Sequence, residues 1–104
     1  MSKIFNESEI TLDIDGKIIE EPTFISKFGN IRIFRIKISV PRDSGVADEF
    51  LVNYSSELGL VLEKDMFIHI NGDIRTLNHK DTDFVIEGYI NASKITILEE
   101  EPKR

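Results

Sequence analysis

Cysteine and tryptophan are both missing from this 104-residue sequence. Without thiols, the chain can form neither a disulfide nor a cysteine-based zinc site, and it lacks a thiolate nucleophile. It also has no apolar run that approaches the ~20 residues of a membrane helix, and its N-terminus lacks the apolar core of a signal peptide. We therefore expect a cytoplasmic protein that does not contact a membrane.

Groups for catalysis and metal binding are scarce as well. The sequence has only two histidines, and the acid pairs Asp13/Asp15 and Asp81/Asp83 are the best candidates for holding a hard cation. No third ligand and no nucleophile–base pair accompanies either of them. We expect no enzyme activity, no cofactor and no metal site, and we expect both histidines to be surface or interface residues.

The length and composition are those of a single globular domain. Apolar residues make up 40% of the chain and charged residues 31%, which is typical of soluble domains. A chain of this size can bury a hydrophobic core. We expect the domain to span residues 1–98, followed by a short, charged and disordered tail over 99–104.

One basic stretch, residues 28–42, is unusual in a chain whose net charge is −6. Five lysines or arginines and no acid lie between residues 26 and 42. From Phe34 onward apolar and polar residues alternate, and a β-strand turns successive side chains to opposite faces. The alternation predicts a strand with Phe34 and Ile36 buried and with Arg35 and Lys37 on a basic outer face. An ordinary solvated face is the alternative interpretation.

The same alternation, together with turn residues, predicts four further strands. The first begins at residue 10, passes Gly16, which marks a bulge or a close backbone approach, and ends at residues 20–22. Residues 23–28 then lead into a turn at Gly29 and Asn30, and the basic strand is followed by a loop over 42–47. The remaining strands are expected over residues 48–54, 66–75, with Ile74 facing inward, and 84–98, with a hairpin loop over 78–83.

Residues 55–64 form the only segment with a helical pattern. It begins with a serine suited to an N-cap and carries Leu58, Val61 and Leu62 at helical spacing, although Gly59 should keep it short or irregular. Five strands with a short helix between the third and the fourth is the order of an OB-fold. We therefore expect an all-β, five-stranded OB-fold Greek-key barrel, with an SH3-like barrel as the alternative.

Four segments resemble the bacterial and phage single-stranded DNA-binding proteins, and they occur in that family's order between about residues 9 and 98. They are Gly16 with Pro22, the Gly29 turn before Phe34, the acidic–aromatic stretch at 48–50, and residues 64–76, which resemble a fourth strand that a glycine ends before a basic hairpin. The resemblance implies an OB-fold that binds single-stranded DNA without catalysis, in replication, recombination or repair. It also implies a homo-oligomer, either a dimer or a tetramer.

The sequence departs from that family in several places. Asp65 stands where the family usually has a glycine, and no tryptophan is present to stack on bases. A long Gly/Pro-rich linker and an acidic tip that recruits replication partners are also missing. These departures favour a compact paralogue, a phage or mobile-element version, or a relative that resembles the primosomal protein of this fold. Replication proteins remain candidate partners.

Basic and aromatic side chains together bind single strands with little sequence preference, because cations pair with phosphates and bases stack on rings. The candidates here lie on the basic strand, near its ends, on the hairpin after strand four and at three aromatic positions: Phe28 beside the Gly29 turn, Phe50 where the resemblance implies a stacking ring, and Tyr89. They are Lys27, Phe28, Arg32, Arg35, Lys37, Arg42, Phe50, Arg75, His79, Lys80 and Tyr89. Phe34 has core parity, whereas the parity of Tyr89 favours an outward ring.

Two other functions stay open. The domain could bind RNA, or it could be a protein–protein interaction module, such as a primosome-like accessory factor that pairs through its sheet edges. The acidic outer face of strand one is compatible with the second function. Ile33, Leu51 and Phe67 are outward apolar residues and are the candidates for subunit contacts.

Overall fold

The computed structural model describes residues 11–77 and 87–101, without the side chains of 76, 77 and 87. In this part of the chain, five strands form a closed barrel in the order β1-β2-β3-β5-β4. The elements are β1 (Thr11–Phe28), β2 (Ile31–Pro41), β3 (Ala47–Ser55), a 3₁₀ turn (Ser56–Leu58), β4 (Phe67–Leu77) and β5 (Glu87–Leu98). The predicted all-β, five-stranded OB-fold is confirmed.

The length of β1 allows the barrel to close. Its first part, from Thr11 to Lys17, pairs antiparallel with β4, and its second part, from Lys17 to Phe28, pairs antiparallel with β2. The other seam joins β3 to β5 in parallel over only two residue pairs, Val52 with Ile90 and Asn53 with Asn91. β1 therefore pairs with β4 through its first part and with β2 through its second part, and so joins the two ends of the sheet.

The prediction that the first strand ends at residues 20–22 is wrong. β1 continues through Pro22 to Phe28, and its register with β2 shifts between Ile18 and Glu20, between Glu20 and Thr23, and again before Ser26. Proline has no N–H to donate to a ladder, so it is tolerated where the pairing is irregular. Residues 20–22 therefore mark an irregularity within β1 and do not end the strand.

The core consists of β-branched residues on the inward face of each strand. The basic strand contributes Ile36 and Ile38, which are 1% and 0% exposed, and Phe34 and Val40 pack against them partly buried. The remaining fully buried side chains come from β1, β3 and β4: Ile18, Val52, Ile68 and Ile70. The period of two in the sequence therefore identified the inward face of β2 correctly.

The predicted helix over residues 55–64 is a single 3₁₀ turn. Its start is as expected, because the Ser55 hydroxyl accepts a hydrogen bond from the backbone N–H of Glu57 at 3.0 Å. Gly59 then adopts a left-handed conformation, with φ of +68°, which ends the turn. Beyond it, Leu60 and Leu62 turn toward the barrel while Val61 remains exposed. The leucines serve as an extended cap and do not form a helical stripe.

β4 runs from Phe67 to Leu77, close to the expected span of 66–75. The end at a glycine that the resemblance implied is wrong, because Gly72 lies within the strand, in the barrel wall against β5. An added Cβ at Gly72 would lie 2.5 Å from the Asn91 carbonyl oxygen. Ile74 faces inward but is 38% exposed because it lies at the open end of the barrel. The predicted loop over 78–83 and residues 84–86 lie outside the described residues.

The other glycine expectation is confirmed. An added Cβ at Gly16 would lie 3.0 Å from Ile38 Cδ1 and 3.2 Å from the Ser39 carbonyl oxygen. Gly16 therefore allows β1 to approach β2 closely, without a bulge in its pairing with β4.

No helix in the described part of the chain is long and apolar enough to cross a membrane.

Candidate nucleic-acid interface

Tyr89 lies between two arginines on the outer face of the barrel. It is directly opposite Arg75 in the β4–β5 register, and the Arg35 guanidinium carbon is 5.6 Å from the centre of its ring. A guanidinium over an aromatic face is attracted by the negative charge of the ring face. Three predicted site residues from three strands therefore form one cluster, which we call the Tyr89 cluster (Arg35, Arg75 and Tyr89).

Polar side chains hold the two arginines of this cluster, from the neighbouring strand β3 for Arg35 and from the same strand, β4, for Arg75. Arg35 Nε donates to Asn53 Oδ1 at 2.8 Å, and Asn53 is only 8% exposed. Arg75 Nε donates to Asp73 Oδ2 at 2.6 Å, and Asp73 Oδ1 also accepts from the Asn91 amide at 3.5 Å. The roles of Asn53 and Asn91 depend on the register between strands, which the sequence does not reveal. Asp73 lies two residues from Arg75 on the same strand, so alternation along β4 already puts both side chains on one face.

An apolar pocket of about 470 Å³ opens beside the Tyr89 cluster at the end of the barrel. Tyr89 and Phe50 both line it, together with Leu12, Ile14 and Ile74. Phe50 has the inward parity of its strand but is 40% exposed, because β3 is just entering the barrel at this point. The structure thus places two of the predicted aromatic residues at one apolar pocket, Phe50 with inward parity and Tyr89 on the outer face beside the arginines.

A second basic and aromatic surface lies at the turn between β1 and β2. Lys27 pairs in register with Arg32, and both are exposed. Phe28 is 68% exposed beside them, and among the described residues no carboxylate contacts either cation. We call Lys27, Phe28 and Arg32 the hairpin tip. All three were predicted as site residues.

Phe24 is an exposed ring near the hairpin tip that sequence analysis did not select. Its side chain is 52% exposed and packs edge-on against Phe34, with ring centres 6.1 Å apart. Phe34 in turn stacks on Tyr54 at 5.6 Å. Residues 23–28 were expected only to lead into the Gly29 turn, so no face was predicted for Phe24, which in the structure pairs with Phe34.

Two other predicted cations are held by acids. The Lys37 ammonium lies 3.4 Å from Glu20 Oε2 on β1 and 4.0 Å from Glu49 Oε1 on β3. Arg42 Nε donates to Asp48 Oδ2 at 2.9 Å. The outer face of β2 is basic as predicted, but neighbouring strands bring carboxylates beside it. The sequence separation of these residues hides that arrangement.

The Arg42–Asp48 pair changes the titration of its carboxyl group. The hydrogen bond from Arg42, together with its positive charge, holds the pKa of Asp48 below the ordinary value of 3.8. The same hydrogen bond raises the pKa of Arg42. Both groups therefore remain charged and paired at neutral pH.

His69 joins the two acids of strand one. Its Nδ1 lies 2.6 Å from Asp15 Oδ1, and its Nε2 lies 3.6 Å from Asp13 Oδ1. Asn71 also donates to Asp13, so the cluster ties the outer faces of β1 and β4 together. Over residues 11–77 and 87–101, no group of three histidine, cysteine or acidic residues is placed to hold a metal ion. The remaining candidates, His79 and Lys80, lie outside the described residues.

Comparison with known proteins gives matches in structure but not in sequence. No protein-family model matches the chain, and no curated protein matches it significantly. The dimeric N-terminal domain of PriB from Thermoanaerobacter tencongensis is 25% identical with a TM-score of 0.75, over 88% of this chain and 98% of that one. The likeness therefore spans nearly the whole of both domains.

Single-stranded DNA-binding proteins share the same fold. The protein from Thermus aquaticus is 18% identical with a TM-score of 0.67; the match covers 90% of this chain but only 52% of the Thermus protein. The Plasmodium falciparum protein, solved in complex with single-stranded DNA, is 13% identical with a TM-score of 0.67 over 92% and 100% of the two chains. This chain thus has the length of one such domain and about half the length of the Thermus protein.

Proposed function

We propose that this protein binds single-stranded DNA without catalysis, through residues 1–98, in cytoplasmic DNA replication, recombination or repair. The Tyr89 cluster is the observation that carries the proposal. It places an aromatic ring between two arginines and beside Phe50 at an apolar pocket. Cations that pair with phosphates, next to rings on which bases stack, are what sequence-tolerant binding of single strands requires.

The hairpin tip is a second surface of the same composition. Its two cations have no acid contact among the described residues, so they are available to phosphates, and Phe28 is exposed beside them. The PriB and single-stranded DNA-binding proteins that share the fold support the same function. By the same likeness we propose a homo-oligomer, with replication proteins as further partners.

Fluorescence anisotropy with labelled single-stranded DNA, duplex DNA and RNA, each over a series of salt concentrations, tests the proposal. We expect single-stranded DNA to bind most tightly. Replacing Arg35 by Gln should weaken binding and reduce the slope of log K against log salt by about 0.7, because the variant makes one phosphate contact fewer and so releases fewer counterions. Tyr89→Leu should weaken binding roughly 5- to 150-fold without changing the slope, because stacking releases no counterions.

Lys64→Gln is the matched control for Arg35→Gln. Lys64 is an exposed cation in the segment before β4, and its replacement makes the same change in charge away from the Tyr89 cluster. An equal loss of affinity in this control would show that only net charge matters. Absence of salt-sensitive binding to any oligonucleotide would instead favour the protein-interaction module, and tighter binding of RNA would make RNA the ligand.

A further inference from the structure

Lys37 lies between two carboxylates that come from different strands. Glu20 is its partner in the β1–β2 register, and Glu49 lies on β3 two residues from Leu51, the β3 residue opposite Lys37. Their oxygens are 3.4 and 4.0 Å from the ammonium, while the side chain of Lys37 is only 32% exposed and those of the two glutamates are 62% and 59% exposed. The three groups together carry a net charge of −1, so an approaching phosphate meets an acidic surface at this point.

We propose that Glu20 and Glu49 act as internal competitors of DNA phosphate for Lys37, and thereby lower both the affinity for single-stranded DNA and its salt dependence. This inference rests on the proposed function. A phosphate that reaches Lys37 must displace a carboxylate of the protein, which stays attached to the chain. It displaces few free counterions, and free counterion release is the source of the salt dependence.

Because of the position of Lys37, this competition would favour the release of a bound strand. Lys37 lies two residues from Arg35 along β2 and on the same outer face, so it adjoins the Tyr89 cluster. A bound strand that crosses the cluster would pass the two glutamates, which re-pair with Lys37 as soon as a phosphate leaves. Arg35 and Tyr89 of the cluster would then hold the strand while the Lys37 site favours its release; Arg75, the third member, is itself paired with Asp73.

Replacement of both glutamates by Gln tests the inference. The variant E20Q/E49Q keeps side-chain size but removes both competitors. Each exposed ion pair contributes up to ~1 kcal/mol, so we expect affinity for single-stranded DNA at low salt to rise roughly three- to tenfold. The slope of log K against log salt should steepen by about 0.7, because Lys37 now releases a counterion when it binds a phosphate.

Two further variants separate competition from a general change in charge. E99Q/E100Q alters two exposed acids beyond the end of β5 and makes the same charge change, so it should leave the slope unchanged. Adding Lys37→Met to E20Q/E49Q should return the slope to that of the wild type. Thermal unfolding of each variant checks that the barrel still folds.

The outcomes distinguish this inference from the proposed function. If the wild type binds but E20Q/E49Q behaves like E99Q/E100Q, the competition is wrong and the proposed function stands. A steeper slope that persists after Lys37→Met would also overturn the competition, because Lys37 would not be its target. If the wild type binds no oligonucleotide, both proposals are wrong.

Discussion

Asn53 links the fold to the candidate site at the level of a single residue. It lies between the buried Val52 and Tyr54, and it is itself 8% exposed although it faces the outer side of β3. Its amide oxygen accepts from Arg35, and a buried acceptor without a partner would cost about 1–3 kcal/mol. The arginine that contacts Tyr89 therefore also contributes to the stability of the barrel, so its test variant should retain a donor, as Gln does.

Asp48 and Arg42 allow a direct test of one contact. Because the hydrogen bond from Arg42 lowers the pKa of Asp48, this pair stabilises the fold above about pH 4 and ceases to do so as the pH falls through the lowered pKa. We expect an NMR titration of the Asp48 carboxyl to give a pKa below 3.8, and Arg42→Ala to raise it toward that ordinary value. An unchanged pKa in the variant would show that the contact does not form in solution.

At this scale, alternation predicted which way a side chain faces but not what it touches. The outer-face placement of Arg35 and Tyr89 followed from the period of two along each strand. The acids beside Lys37 and the amide beside Arg35 did not, because they depend on the register between strands that are distant in the sequence. Phe24 was missed because residues 23–28 were expected to lead into a turn, whereas they pair with β2 as part of β1.

Among the elements, β4 depends on a glycine where it pairs closely with β5. An added Cβ at Gly72 would meet backbone atoms of Asn91 and Ala92, which cannot move aside as a flexible side chain can. Gly29 is a glycine of a different kind. It has φ of +61° in the β1–β2 turn, and no atom lies within 4 Å of an added Cβ. Gly72 is required because there is no room for a side chain, and Gly29 because of its left-handed backbone conformation.

We expect Gly72→Ala to destabilise the fold by about 3 kcal/mol, as overpacking against a rigid neighbour does. Gly29→Ala should cost only about 1 kcal/mol, the penalty for a side chain in the left-handed region. The midpoints of urea unfolding measure both changes. Equal losses in the two variants would mean that β5 moves away from β4 to accommodate the methyl group.

The strands that were predicted well have a strong alternation of apolar and polar residues. The errors occurred where a segment fitted two kinds of structure. Polar residues at 20–22 indicated the end of a strand, but the long β1 must continue to pair with β2. The leucines between residues 58 and 62 fit a helical spacing and also a spacing of two. Gly59 and packing against the barrel end selected the extended form, because tertiary contacts outweigh a weak local preference.

For the whole molecule, we expect self-association. Phe67 is a partly buried ring on the outer side of β4, with the Lys17 ammonium 5.8 Å from its centre, and it is one of the three candidate subunit contacts, with Ile33 and Leu51. Light scattering at micromolar concentration should give two or four times the 11.9 kDa mass of one chain. Phe67→Glu should lower this mass, whereas Val61→Glu, at a side chain already 76% exposed, should not. A wild-type mass of 11.9 kDa would refute self-association.

The short seam between β3 and β5 has a consequence for how the chain folds. The β1–β2, β2–β3 and β4–β5 pairings join strands that follow one another, so each forms as a local hairpin. The seam instead requires Val52 to meet Ile90 across an intervening stretch of chain, and it contributes only two residue pairs. The β1–β4 pairing is also non-local, since it joins residues 11–17 to residues 67–73. Because non-local contacts offset the entropy of loop closure only after they form, we expect the three hairpins to form first and these two pairings, which close the barrel, to form last.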